Sequence, residues 1–224
     1  MESFAQIWQR AAERKGGDAA LQALLPHANP NLAKMSDGQL LSSMSRQVFR
    51  SGMMWRVVDN KWPAFEEAFW GFEPTKVLMM SPEQRDKRAS DPALIRHSGK
   101  IQTIFDNAQM LLDLSFEHGS AVQWLADFDS RNIIELWQVL KRQGSRLGGN
   151  TGPYWLRVIG KDTFLLTNDV VGYLQAHQLL DAAPTSKKAM QQTQALFNQW
   201  QDESGLEMAQ ISKVISCSVG DNRV

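Results

Sequence analysis

Cysteine is almost missing from this 224-residue chain, which has only Cys217. One thiol builds neither a disulfide framework nor a four-cysteine zinc site. Net charge is missing too, because 24 basic side chains meet 24 acidic ones. A protein that holds nucleic acid through its overall field is basic, so any such grip here has to come from a local patch. No apolar run reaches the roughly 18–20 residues that span a bilayer. The N-terminal stretch carries Glu2 and Glu13 among its basic residues and has no continuous apolar core, so it does not read as a secretory signal. These absences lead us to expect a soluble, cytoplasmic protein with no membrane partner. Strand signals are scarce as well. Only Thr163 to Thr167 reads as extended, too short and isolated to build a sheet. Disorder is excluded, since 43% of the residues are hydrophobic and only 21% charged.

What the chain does have is helical periodicity. Phe4, Ile7, Trp8 and Ala11 follow the i, i+3, i+4, i+7 rule, and Ile101, Ile104, Phe105, Ala108, Leu111 and Leu112 keep it for several turns. Further stripes run through Ile133, Trp137 and Leu140, through Met190, Phe197 and Trp200, and through Met208, Ile211 and Ile215. Ser36 with Gln39, and Ser81 with Gln84, have capping-box spacing, and Pro82 suits a first helical position. The fold expected is all-α, with about ten helices. The best breaks, His27 to Ser36 and Asp181 to Ser186, have ordinary interhelix lengths. Residues 1–224 are therefore read as one two-lobed helical bundle. Aromatics crowd between Phe49 and Phe72, where most read as packing residues and one or two as the walls of a stacking pocket.

The most informative stretch is Lys141 to Val171. It opens at the end of an amphipathic helix and runs into a bend holding Gly144, Gly148, Gly149 and Gly152, with Pro153 placed to start a new helix. Glycines let a backbone turn tightly and approach another molecule closely. The helix start behind such a bend offers N–H groups and a positive dipole end to an anion such as phosphate. Lys141, Arg142, Arg146, Arg157 and Lys161 surround it, with no acid between Glu135 and Asp162. This is the local basic patch that the charge balance requires.

The layout, a helix-hairpin-helix within about 133–160 followed by a downstream aspartate, resembles the helix-hairpin-helix superfamily of DNA glycosylases. A second likeness narrows it. Phe72–Glu73–Pro74, then Ile95–Arg96–His97–Ser98–Gly99–Lys100–Ile101, then Asn107–Ala108, looks like the alkyl-purine glycosylases known as 3-methyladenine DNA glycosylase I. The resemblance implies a DNA glycosylase fold and a monomeric hydrolase of N-glycosyl bonds. Its substrate would be double-stranded DNA containing alkylated purines of the 3-methyladenine type, cleaved in base excision repair. It also implies that Arg146, Gly148, Gly149, Asn150, Thr151 and Gly152 grip DNA, that Gln47 and Trp55 form the base pocket, and that Asp169 is the catalytic carboxylate. Asp169 reads equally well as an N-cap for Val170 to Leu174. Trp62 and Trp70 read as core, His97 as a surface or capping residue, Arg96 and Lys100 as structural, and Cys217 as a small core hydrophobe.

Departures from the family carry consequences. Members bind a structural zinc through cysteines and histidines near both termini; here the cysteines are lacking, so neither metal nor other cofactor is expected. Gln47 stands where the family has a glutamate. It offers a carbonyl acceptor to a base but cannot pair with the positive charge of an alkylated purine, so strict preference for 3-methyladenine is not expected. Strand-nicking relatives use a lysine just after the hairpin; here Gly152–Pro153–Tyr154 has none, which implies a monofunctional enzyme. The alternative reading is a catalytically weak or inactive homologue that binds damaged or bent DNA through the hairpin.

Overall fold

A computed structural model describes residues 2–180 and 183–220. Thirteen α-helices follow one another among the described residues: α1 (Phe4–Lys15), α2 (Asp18–Gln22), α3 (Asp37–Arg50), α4 (Trp55–Ala68), α5 (Pro74–Leu78), α6 (Pro82–Ser90), α7 (Ser98–His118), α8 (Ala121–Asp127), α9 (Ile133–Gln143), α10 (Thr151–Ile159), α11 (Asn168–Ala176), α12 (Lys187–Ser204) and α13 (Met208–Ser218). The fold is all-α, with no strand among these residues. Thr163 to Thr167 forms no regular structure. Phe164 is buried and stacks on Phe197 at 4.2 Å, so side-chain packing rather than a ladder holds this connection in place. The break expected at Asp181 to Ser186 begins with two residues outside the described ones.

Backbone contacts divide the chain into two units. One comprises Pro30–Phe128 and Trp137–Ile159; the other comprises Met1–Asn29, Asp129–Leu136 and Gly160–Val224. In the first unit, α3 packs on α4, α7 and α10. Its start is set by the expected capping box: Gln39 N–H donates to Ser36 Oγ at 3.1 Å, and Ser36 N–H to Gln39 Oε1 at 2.9 Å. Ser81 and Gln84 do the same for α6, with Pro82 at its first position. The aromatic run supplies the core. Trp62 stacks on Phe65 at 4.8 Å and on Phe72 at 5.5 Å, while its indole N–H donates to Ser42 Oγ at 2.9 Å, so its polar atom is satisfied on burial. Trp70 departs from the core reading, since 40% of it is exposed. The chain turns there through left-handed residues, Trp70 at φ 53°, Gly71 at 67° and Phe72 at 57°. Phe72 is buried in this turn and Trp70 is left outside.

In the second unit, α13 packs on α1, α11 and α12. Cys217 is buried there as a core residue. Glu2 accepts from both Arg10 (2.5 Å) and the Tyr173 hydroxyl (2.9 Å), tying the N-terminal segment to α11.

Candidate functional site

The bend between α9 and α10 is built from inside outward. Leu147 is buried beneath it. Gly152 N–H donates to the Leu147 carbonyl at 3.1 Å, and a Cβ on Gly152 would come within 2.5 Å of that same oxygen. Only glycine lets the new helix close so tightly on the bend, and its N–H is used in that closure. At the tip, Gly149 takes φ 59°, a left-handed value that costs other residues strain. Gly149 and Asn150 are exposed, and Gly148 and Thr151 are half-buried, with Gly148 lying on the Lys141 side chain.

Asn107 of α7 clamps the bend from below. Its amide oxygen accepts from Ser145 N–H at 2.7 Å, and its amide nitrogen donates to Ser145 O at 3.2 Å. Asn107 is fully buried, so its amide would be costly to leave without these partners. A polar residue inside the apolar stripe of Ile104, Ala108 and Leu111 was the signal of its role.

Of the five expected cations, Lys141, Arg142 and Arg146 are exposed. Lys161 leaves the exposed patch, because it is buried. Arg157 is half-buried. Arg146 itself takes φ 60°, and its guanidinium lies against the start of α7 at Gly99. His97 caps that helix, accepting from Lys100 N–H at 3.2 Å. Lys100 is buried, and its amine donates to Phe49 O at 3.0 Å and Ser51 O at 2.6 Å, closing the end of α3. Burial, and next the charge of Arg146, hold its amine below the usual lysine range.

Beside the bend lies a small cavity of about 190 Å³, lined by Gln47, Arg50, Ser51, Trp55, Asn150, Thr151 and Tyr154. It joins both expected base-pocket residues to two of the hairpin residues. Gln47 is buried, and among the described residues its side-chain amide takes no protein partner. Trp55 begins α4 and is 54% exposed. Three lining residues were missed from sequence. Arg50 and Ser51 stand three and four positions after Gln47, and Tyr154 four after Asn150, so helical spacing placed them on the same face.

Arg50 sits over the Trp55 ring, 5.1 Å from Cζ to the centroid. It also binds Asp59 through both carboxylate oxygens, at 2.7 and 2.8 Å, while Arg46 Nε donates to Asp59 Oδ1 at 2.9 Å. Desolvation pushes the Asp59 carboxyl up, but the two guanidiniums outweigh it and hold the group below the usual carboxylate range.

Asp169 belongs to the other unit. It is not the N-cap of α11; Thr167 is, accepting from Val170 N–H at 3.3 Å. Asp169 lies in the first turn, half-buried, and its Oδ2 accepts from Ser216 Oγ at 3.0 Å. The described residues do not suit a zinc ion. They contain no group of three histidine, cysteine or acidic side chains placed to hold a metal, and Cys217 is buried in the core.

The chain is thus an all-helical protein with a glycine bend held between two helices, a cationic rim and an aromatic pocket next to it. A sequence model described as methyladenine glycosylase matches residues 31–146, more than half of the chain, and the chain belongs to that family. Among curated proteins it is similar to DNA-3-methyladenine glycosylase 1 of Escherichia coli (strain K12), with 35% identity over 65 residues, 29% of this chain and 35% of that one. It is also similar to the DNA-3-methyladenine glycosylase of Haemophilus influenzae, with 33% identity over 63 residues, 28% and 34% of the two chains. The match thus spans about a third of the length of either relative. Among solved structures, 3-methyladenine DNA glycosylase I from Staphylococcus aureus aligns with TM-score 0.48 and 25% identity, covering 59% of this chain and 86% of that one.

Proposed function

We propose that the chain is a monofunctional DNA N-glycosylase that releases alkylated purines from double-stranded DNA in base excision repair, acting as a monomer in the cytoplasm. Membership of the methyladenine glycosylase family supports the activity; 3-methyladenine is the base in its relatives' names. The observation that carries the reading is the shared cavity, where Gln47 and Trp55 meet Asn150 and Thr151 of the bend. A backbone-gripping element and a stacking surface lie side by side, as an enzyme acting on an extruded nucleotide requires. No described helix is long and apolar enough to cross a membrane.

In this reading Arg146, Gly148, Gly149, Asn150 and Thr151 hold phosphates, and Gly152 shapes the bend that presents them. These contacts carry no base information. The extruded purine stacks on Trp55 with its edge toward the Gln47 amide. Cleavage breaks the bond between C1′ and the base nitrogen. The electron pair leaves with the base, positive charge builds on the sugar, and water adds its oxygen to C1′. A carboxylate near the sugar lowers that barrier electrostatically. Asp169 is the proposed group, and its hydrogen bond from Ser216 would fix its orientation. No lysine follows the bend to form a Schiff base, so the product is an intact strand with an abasic site.

The test is incubation of methylated duplex DNA with the chain, followed by mild alkali. Breaks that form only after alkali are expected. Breaks before alkali would contradict the monofunctional assignment. Retention of the DNA with no breaks at all would favour a binding module, a reading to which the engagement of Asp169 by Ser216 lends weight.

A further inference from the structure

The cavity of about 190 Å³ beside the bend is smaller than the roughly 300–1,000 Å³ of pockets that take drug-sized ligands. It has room for one flat base, so the few polar groups in its wall decide how that base is held. Arg50 is committed elsewhere, since its guanidinium holds Asp59 through both carboxylate oxygens. Two lining groups, the Gln47 amide on α3 and the Tyr154 phenol on α10, have no partner among the described residues. Ser51 and Asn150 are exposed, whereas Tyr154 is half-buried and Gln47 buried. Tyr154 stands one helical turn beyond Asn150, on the same face of α10.

The phenol is held on a rigid element. Pro153 precedes it, and Trp155 follows it fully buried, with its indole N–H donating to Ser43 Oγ at 2.9 Å. That bond pins α10 onto α3 one turn before Gln47. Phenol and amide therefore keep a fixed relation, as a site for a small flat ligand requires.

We propose that Tyr154 is a catalytic residue of base release, its phenol donating a hydrogen bond to a ring nitrogen of the departing purine while the Gln47 carbonyl accepts from an exocyclic amine. The proposal rests on the reading of the chain as a base-releasing enzyme. A purine alkylated on a ring nitrogen is cationic while bonded to the sugar, and its remaining ring nitrogens are poor acceptors. When the bond from C1′ breaks, its electron pair stays on the ring and cancels that charge. The ring nitrogens then accept strongly, so the phenol bond is worth most as the base leaves, and the phenol keeps its proton throughout. Binding that grows along the reaction speeds it, whereas binding already present in the substrate complex does not. A neutral donor also adds no charge to repel the cationic base.

The experiment measures single-turnover release of 3-methyladenine from methylated duplex DNA by the full chain and by Tyr154→Phe, with folding checked by circular dichroism. The variant keeps the ring and loses only the hydroxyl. Its maximal rate is expected to fall about tenfold, the worth of one hydrogen bond. The half-saturating enzyme concentration and the duplex affinity should stay within about twofold. Free 3-methyladenine is neutral, so in a calorimetric titration it should bind Tyr154→Phe about tenfold more weakly than the parent. A parental rate in Tyr154→Phe overturns the proposal. So does a rate loss matched by an equal loss of duplex affinity, which would make Tyr154 a support for the bend. If the parent releases no base, the base-releasing reading fails and the titration alone judges the contact. Weaker binding by Tyr154→Phe then sustains it, and equal binding, or none by the parent, overturns it.

Discussion

The guanidinium carbon of Arg50 stands 5.1 Å from the centre of the Trp55 ring, while more than half of that tryptophan remains open to solvent. The cation orients the indole from one side and leaves stacking surface for a flat partner on the other. A base stacked on an aromatic side chain gains about 1–3 kcal/mol. Trp55→Ala is therefore expected to slow base release about tenfold or more, with duplex affinity changed only a few-fold. Equal losses in both would show that Trp55 supports the bend and does not hold the base.

The bend makes a separate claim about phosphate. Arg146→Glu should weaken binding to every duplex sequence alike and reduce the slope of log affinity against log salt by about one. Binding curves on unrelated duplexes at several salt concentrations measure this. Loss confined to some sequences would contradict a contact with the backbone.

Asn107→Ala removes both hydrogen bonds to Ser145 and leaves a cavity beneath the bend. The cost expected is about 1–3 kcal/mol, read as a lower melting temperature together with weaker duplex binding. Gly152→Val should be at least as damaging, because its Cβ would sit 2.5 Å from the Leu147 carbonyl. A Gly152→Val protein that melts and binds like the parent would refute the close approach.

How far these features were legible in the sequence differs from residue to residue. The apolar stripe of α7 and the caps at Ser36 and Ser81 are set by local spacing, and they stand where periodicity puts them. Trp70 was misread because three successive left-handed residues reverse the chain there, and only one of them is glycine. Lys161 was misread because nearness in sequence to a basic patch says nothing about burial. The pocket was half legible. Gln47 and Trp55 came from resemblance, whereas Arg50 and Tyr154 needed only helical spacing from residues already named. The clamp from Asn107 to Ser145 joins residues far apart in sequence; a polar residue within an apolar stripe marks Asn107, but nothing local points to Ser145 as its partner.

Stability should depend on pH through Glu2. Its hydrogen bond from Arg10, opposed by burial and aided by Tyr173, holds the carboxyl below its ordinary value of 4.5. A depressed carboxyl stabilises the fold fully above its unfolded value, and that contribution fades as pH falls through the folded one. Burial, then the bond to Glu2, raises the Tyr173 phenol above its ordinary 10.0, so stability is also lost as pH climbs past that value and the unfolded phenol ionises. Glu2→Gln should flatten the acid limb of a melting-temperature profile. An unchanged acid limb would place the acid sensitivity elsewhere.

Asp169→Asn is expected to lower base release at least about tenfold, with duplex binding held within a few-fold. Unchanged release would return Asp169 to a purely structural role with Ser216 on α13.

The most direct measurement is chromatography of the free bases liberated from alkylated duplex DNA, with and without the protein. The account requires alkylated purines to appear in the soluble fraction in proportion to enzyme and time while the strands stay whole. A chromatogram identical to the protein-free control, from a sample that still binds duplex DNA, would contradict it.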